Sequence, residues 1–279
     1  MATDDHPEID DTSLLDDKTH LIYRLLIGSA QWTITLGRFD IMYAVAVISR
    51  FAHAPHQGRF DRMIRIFGYL KYHSDLSISM NPIILTFLST SMNFDPQTWK
   101  EQYPNAHEDI PDDAPTPLGK AVSLVTHVDV SHASNLSNRR STTGFFVLAN
   151  GIPVYWHSKE QHTIETSTFG SEIVAGRIAV EKIMEYRYKL RMMGVPIEGP
   201  ATFFCDNKSV VISCSIHSNS LKKRHNALAY HKMRECVAAG IIQIFHVQGQ
   251  NNIADSLTKP VDGTTFKRHR NCILCNPML

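Results

Sequence analysis

The feature that most constrains this chain is the order of elements written after Gly119. Residues 123–130 alternate enough to form a strand, and they deliver Asp129 near its C-terminal end. Residues 143–148 and 152–157 read as a second and third strand. Between them lies Asn150-Gly151, the dipeptide favoured where both central residues of a tight hairpin turn need positive φ. Thr166 or Ser167 can cap a long helix running to about Met193, where Gly194 and Pro196 stop it. A short apolar strand, 202–205, ends in Asp206-Asn207; helices are expected from Ser209 and over 225–239, the second closed by Gly240. Residues 241–247 form the last strand, and 253–258 open a short helix before Pro260. Three meander strands followed by helix, strand, two helices and strand fit an α/β layer architecture, a mixed five-stranded sheet with helical crossovers.

Upstream, the apolar period is helical. Ile27, Ala30 and Ile34, then Ile41, Val45 and Ile48, recur at spacings of three and four; in a third segment, 60–72, Met63, Ile66, Phe67 and Leu70 share a face. Residues 21–80 are therefore expected as a small helical module. Residues 1–20 carry seven acids against one base and are expected as a disordered tail. Residues 81–120, with prolines at 96, 104, 111, 115 and 117, are expected as a linker or connection with a strand at their start. The sheet domain is expected over 121–262, with 263–279 as a C-terminal tail.

Composition excludes several classes. With 43% hydrophobic and 20% charged residues the chain has enough apolar material for a sizeable core, so it is not a disordered polymer. A net charge of +1 is neutral on polyanionic partners, yet from Cys205 onward ten bases stand against four acids, so that end can face a phosphate backbone. Five cysteines without framework spacing point to a reducing compartment. The acidic N-terminus lacks the apolar region of a signal peptide, and no apolar run approaches the ~20 residues of a membrane span. The expected location is intracellular, cytoplasmic or nuclear, with no membrane partner.

Four acids stand out by position. Asp129 ends the first strand, Asp206 ends the fourth, Asp255 opens the helix after the fifth, and Glu172 lies in the first turns of the long helix. If strands one and four are neighbours, the four carboxylates converge. Bare, they would repel one another severely; Mg²⁺ or Mn²⁺ resolves this, because hard cations take oxygen ligands. Two such ions about 4 Å apart can activate a water and stabilise the leaving oxygen of a phosphodiester displacement. Taken singly, each acid is as well read as a cap or a surface group: Asp255 as a helix-start acid, Asp206 as an N-cap.

The wording around these acids resembles the ribonuclease H domain of Copia-type LTR retrotransposon polyproteins. The blocks run in order. First come Val128-Asp129-Val130-Ser131-His132-Ala133 and Arg139-Arg140-Ser141-Thr142-Thr143-Gly144, then Trp156-His157-Ser158-Lys159-Glu160-Gln161. Ser167-Thr168-Phe169-Gly170-Ser171-Glu172 and Cys205-Asp206-Asn207-Lys208-Ser209 follow. Arg224-His225 with Tyr230-His231, and the block from Ile253 through Asp255 to Lys259-Pro260, complete the series over roughly 122–262. Upstream, Tyr23-Arg24-Leu25-Leu26-Ile27-Gly28, Gly37-Arg38-Phe39-Asp40-Ile41, Ser49-Arg50-Phe51 and Ile66-Phe67-Gly68-Tyr69-Leu70-Lys71 resemble the segment following the polymerase palm in the same polyproteins. The resemblance implies a C-terminal polyprotein part: a reverse-transcriptase thumb-like segment ahead of a ribonuclease H-like fold. No Tyr-x-Asp-Asp is present, so DNA synthesis is not expected.

What the resemblance implies chemically is endonucleolytic hydrolysis of the RNA strand of an RNA/DNA hybrid, with two Mg²⁺ (or Mn²⁺). Asp129 would bridge both ions, Glu172 and Asp206 would complete the shell, and Asp255 would hold the ion on the nucleophile side. The polymerase part of the same polyprotein is the implied protein partner. The chain departs from the family pattern at Ser131, Gly170 and Ala227, none of them an implied ligand.

Arg139, Arg140, Lys222, Lys223, Arg224 and Lys259 are candidates for hybrid phosphates, which supply most affinity for such substrates. Gln161 and Asn207 can reach sugars or base edges in the wide minor groove, Asn207 being equally fit to cap a helix. His225 or His231 is placed by the resemblance as a product-release group. Trp156 and Cys205 read as core packing, and Cys272, Cys275 and His269 lack a fourth ligand for zinc. Two other classes compete: a catalytically inactive remnant that binds nucleic acid, and an integrase-like sheet cutting DNA.

Overall fold

The computed structural model describes residues 6–78, 96–216, 221 and 226–275. Three helices come first: α1 (Asp17–Thr35), α2 (Met42–Ser49) and α3 (Gln57–Tyr72); the short strand β1 (Ser77–Ile78) and α4 (Pro96–Gln102) follow. The sheet strands are β2 (Leu124–Ser131), β3 (Thr142–Ala149), β4 (Ile152–Glu160), β5 (Ala201–Cys205) and β6 (Ile242–His246). Between them run α5 (Thr168–Met192), α6 (Lys208–Ser215) and α7 (Ala227–Ala238), and after β6 come α8 (Gly263–Asn271) and β7 (Leu274–Cys275).

The strand order is β4-β3-β2-β5-β6, antiparallel from β4 to β2 and parallel from β2 to β6. This is the mixed five-stranded sheet expected from the sequence, with the first and fourth sheet strands adjacent: Val128 lies opposite Cys205. The turn between β3 and β4 has positive φ at both Asn150 (49°) and Gly151 (81°), and the Asn150 side chain accepts from Ser123 N at 2.9 Å, closing the far side of β2.

Strand β3 is buried on both faces, which explains its near-continuous apolar run. Phe145 and Val147 join Ile173, Ala179, Val180 and Ile183 of α5 in the main core. Phe146 and Leu148 point the other way, to Phe39, Ile253, Leu257 and Leu274. Ser167 caps α5 by accepting from Gly170 N at 3.2 Å. Gly176 lets α7 close on α5, since a Cβ there would sit 2.5 Å from Met233 Sδ.

Three segments differ from the expectations. Residues 6–16 are not a loose tail: Pro7 O accepts from Arg59, Asp10 pairs with Arg62 at 3.4 Å, and Asp16 caps α1 through Thr19 N. Asp10 lies against both Arg59 and Arg62 of α3, which supply the ordering charge. The 81–120 connection contains α4, whose Trp99 is buried in the main core under the Arg234 guanidinium. Farther on, Glu108 is gripped by Arg187 and Arg191 of α5. The strand expected at the start of that connection lies outside the described residues. Residues 263–275 form α8 and β7 rather than a tail, with Leu274 paired to Ile78. Asp262 caps α8 through Thr264 N and Thr265 N.

Candidate metal centre

Asp129 enters the site from near the C-terminal end of β2, the central strand; its register partner on β3 is Gly144. That glycine matters. A Cβ at 144 would lie 2.5 Å from Thr258 Cγ2 and 3.2 Å from the Leu257 backbone, so only glycine lets the 3-10 turn Ile253–Leu257 sit on the sheet. The turn is held by Asn252, fully buried, whose Nδ2 donates to Val128 O at 2.8 Å while its Oδ1 caps Ala254 N. Asp255 is thereby delivered beside Asp129. Asp206 follows the end of β5, next to β2, and Glu172 comes from the first turns of α5.

Carboxylate oxygens of Asp129, Asp206 and Asp255 lie within 4.8 Å of one another, and a carboxylate oxygen of Glu172 lies equally close to Asp206 and to Cys205 Sγ. The environment disfavours the charge of Glu172, Asp206 and Asp255. Burial, then Asp129 and Asp206, pushes Glu172 well above the usual carboxylate range. Burial and Asp129 raise Asp206 and bring Asp255 up to about 8. One oxygen each of Glu172 and Asp255 is buried without a hydrogen-bond partner. Clustered, orphaned, hard oxygen donors are what a divalent cation satisfies, so the residues present fit Mg²⁺ or Mn²⁺.

Lys259 stands closer to the acids than its place in the sequence suggests. Read there as a phosphate contact, it lies in the cluster with Nζ 3.2 Å from Asp255 and 3.6 Å from Asp129. Burial alone would lower its pKa, but those two acids hold it above the ordinary lysine value. The Asp255-to-Lys259 spacing of four was the available signal. Thr258, not singled out by the sequence, donates its hydroxyl to Asp129.

No family model matches the chain. A retrovirus-related Pol polyprotein from transposon RE2 of Arabidopsis thaliana is 24% identical over 267 residues, covering 96% of this chain and 16% of that protein. The corresponding polyprotein from transposon RE1 is 24% identical over 245 residues, 88% and 14% respectively. A third relative, 22% identical over 248 residues, is likewise a retrovirus-related Pol polyprotein, from transposon TNT 1-94 of Nicotiana tabacum. The chain spans about a sixth of the length of these curated relatives. Among solved structures, the N-terminal RNase H domain of a Mycobacterium tuberculosis protein overlays with TM-score 0.39 at 13% identity, covering 53% of this chain and 96% of that one.

The other expected contacts are dispersed. Arg139 is exposed on the β2–β3 connection, while Arg140 leans toward Glu160 at 3.9 Å. Gln161 is corrected: it is buried, and its amide donates to Thr143 Oγ1 and Ser171 O, both at 2.9 Å, so it braces β3 against α5 instead of facing a groove. Asn207 caps α6 through Ser209 N and Val210 N. His231 is turned to the Tyr103 hydroxyl at 2.7 Å, away from the acids. Lys222, Lys223, Arg224 and His225 lie outside the described residues. A cavity of about 680 Å³ opens between the helical module and the Asp255 turn, lined in part by Tyr43, Arg62, Arg65, Tyr69, Lys259 and Phe266.

Proposed function

We propose that this chain is the ribonuclease H part of a retrotransposon polyprotein and hydrolyses the RNA strand of RNA/DNA hybrids with two Mg²⁺ or Mn²⁺. The observation that carries the reading is the convergence of Asp129, Asp206 and Asp255 within 4.8 Å, with Glu172 at its border, in a chain whose homologues are Pol polyproteins. Bound at these carboxylates, divalent ions would supply an activated water and charge stabilisation at the leaving oxygen. Asp129, Asp206 and Asp255 would hold one side of the site, with Glu172 joining Asp206 on the other. Asp206 belongs to both groups of donors, and Asp129, the acid that the resemblance gives as shared by the two ions, would stand beside it. Lys259 neutralises Asp129 and Asp255 while the site is being loaded and then turns toward a substrate phosphate.

In this reading residues 21–80 are the thumb-like module, 81–120 the connection and 121–262 the nuclease. Arg62 and Arg65 of the module line the cavity that Lys259 joins to the acids, which supports a substrate path across both parts. The polymerase part of the polyprotein is the proposed partner, and an intracellular site of action is proposed with it.

The test is cleavage of an end-labelled RNA/DNA hybrid with Mg²⁺ or Mn²⁺, beside single-stranded RNA and duplex DNA. Loss of the RNA strand alone, abolished in Asp129→Asn and Asp206→Asn, is the expected result. A folded protein that binds the hybrid without cutting it would favour a binding remnant, a reading to which the Lys259 ammonium among the acids lends one specific observation.

A further inference from the structure

We propose that the cavity between the helical module and the Asp255 turn is a nucleotide site, taking an aromatic base against its apolar lining and a phosphate on its arginines. The inference rests on the reading above only for the source of that nucleotide; the chemistry of the lining stands by itself. A volume of about 680 Å³ is in the range of sites that enclose small organic ligands. Buried Ile48 of α2 and Ile66 of α3 supply an apolar surface, and Tyr69 of α3 and Phe266 of α8 stand beside it. Those two rings meet edge-on, with centroids 6.2 Å apart and planes at 65°. Aromatic rings next to an apolar surface accept a flat base whatever its identity, because every base has a π-face.

The charges on the lining select an anion. Arg62, Arg65 and Lys259 stand against a single acid, Asp40. That acid is already satisfied: Arg38 donates to both its oxygens, at 3.0 and 2.9 Å, and the Tyr69 hydroxyl donates to one of them at 2.8 Å. Arg62 is tethered to Asp10 at 3.4 Å and Lys259 to Asp255 at 3.2 Å. Arg65 is different. It is exposed one turn along α3 from Arg62, and among the described residues no hydrogen bond or ion pair engages it. A guanidinium in that position is a charge-assisted donor that can grip a phosphate with two parallel N–H bonds. The N-terminus of α8 is not the anion site, since Asp262 already caps it through Thr264 N and Thr265 N. Ser256 and Lys259 line the cavity on either side of Thr258 in the chain, so it lies beside the acid cluster. Hydrolysis of a phosphodiester at that cluster would leave a strand end bearing a phosphate, which gives the nucleotide an adjacent source. A free mononucleotide presents the same chemistry.

The experiment is calorimetric titration of the whole chain with adenosine monophosphate in EDTA, which keeps the acids from presenting a metal ion to the phosphate. One saturable site is expected, with adenosine and inorganic phosphate each bound at least about tenfold more weakly. Arg65→Gln should weaken the nucleotide about tenfold, and Arg65→Lys should restore part of that loss, because lysine keeps the charge without the fork. Phe266→Ala should cost about tenfold as well. Arg177→Gln, which removes an equal charge from α5, should change nothing. Circular dichroism checks that each variant is folded. A tetranucleotide with a terminal phosphate that displaces the monophosphate, where its dephosphorylated form does not, identifies a strand end as the occupant; displacement by neither identifies the free nucleotide. No saturable binding, or binding that survives both Arg65→Gln and Phe266→Ala unchanged, overturns the site. Hybrid cleavage with Mg²⁺ is read separately: its absence beside intact nucleotide binding counts against the nuclease and not against the cavity, and cleavage without nucleotide binding does the reverse.

Discussion

At the scale of single residues, the site is a balance between crowded acids and one lysine. Lys259→Met removes the cation between Asp129 and Asp255 and leaves both acids buried. We expect the metal-free variant to lose roughly 1–3 kcal/mol at neutral pH and to gain more from Mg²⁺ than the wild-type chain does, both read by thermal melting with and without Mg²⁺. The pH dependence has a definite sign. Asp255 binds its proton more tightly folded, at about 8, than at its ordinary 3.8, so its stabilising contribution is complete below about pH 4 and is lost as pH rises through 8. Glu172 and Asp206, also raised, act in the same direction. The metal-free protein should therefore melt lower at pH 8 than this cluster allows at pH 5, and Asp255→Asn should flatten that part of the profile. The positions of the four acids were legible in the sequence because strand ends and a helix start are local features. The placement of Lys259 was not, because it depends on how a 3-10 turn docks on a strand more than a hundred residues away.

At the scale of elements, close backbone approach and long-range ion pairs decide where pieces sit. Gly144→Ala puts a methyl group into Thr258 and the Leu257 backbone. It should cost about 1–3 kcal/mol by overpacking and lift Asp255 from the cluster, so urea unfolding would shift modestly while hybrid cleavage falls steeply. A stability loss with full cleavage would mean the turn yields without moving Asp255. Glu108 shows the opposite titration to the acids of the site. Burial would raise its pKa, but Arg187 and Arg191 hold it at about 2, so its contribution is present above about pH 4.5 and fades as pH falls toward 2. Glu108→Gln should lower the melting temperature at pH 7 and narrow the gap to wild type by pH 2–3. The connection's prolines and acids read as a linker because composition carries no record of which distant arginines wait for it.

Across the whole molecule, the helical module is docked on the sheet. Phe39 packs edge-on against Phe146 with ring centroids 5.0 Å apart and lies 5.7 Å from Trp156, on the sheet face opposite α5. Arg50 of the module meets Glu160 at 3.1 Å, and the same carboxylate accepts from Asn135 and Asn138. Glu160 therefore joins module, β4 and the β2–β3 connection. Phe39→Ala should cost about 3–5 kcal/mol of docking and split a single unfolding transition into two, visible when helical and near-ultraviolet signals no longer coincide in denaturant. A single shifted transition would mean that the two parts share cooperativity through other contacts.

By itself the sequence determined the element order, the Asn150-Gly151 hairpin, the Ser167 cap and the four acids. Each is set by period, turn chemistry or neighbours within a few residues, and local physics reads them without a partner. Only the tertiary structure decided that the acidic start and the C-terminal segment are built into the molecule and that Gln161 is a buried brace. It likewise decided that Lys259 and Cys205 stand among the carboxylates. Those outcomes depend on contacts between distant segments, where burial and charge pairing outweigh local preference.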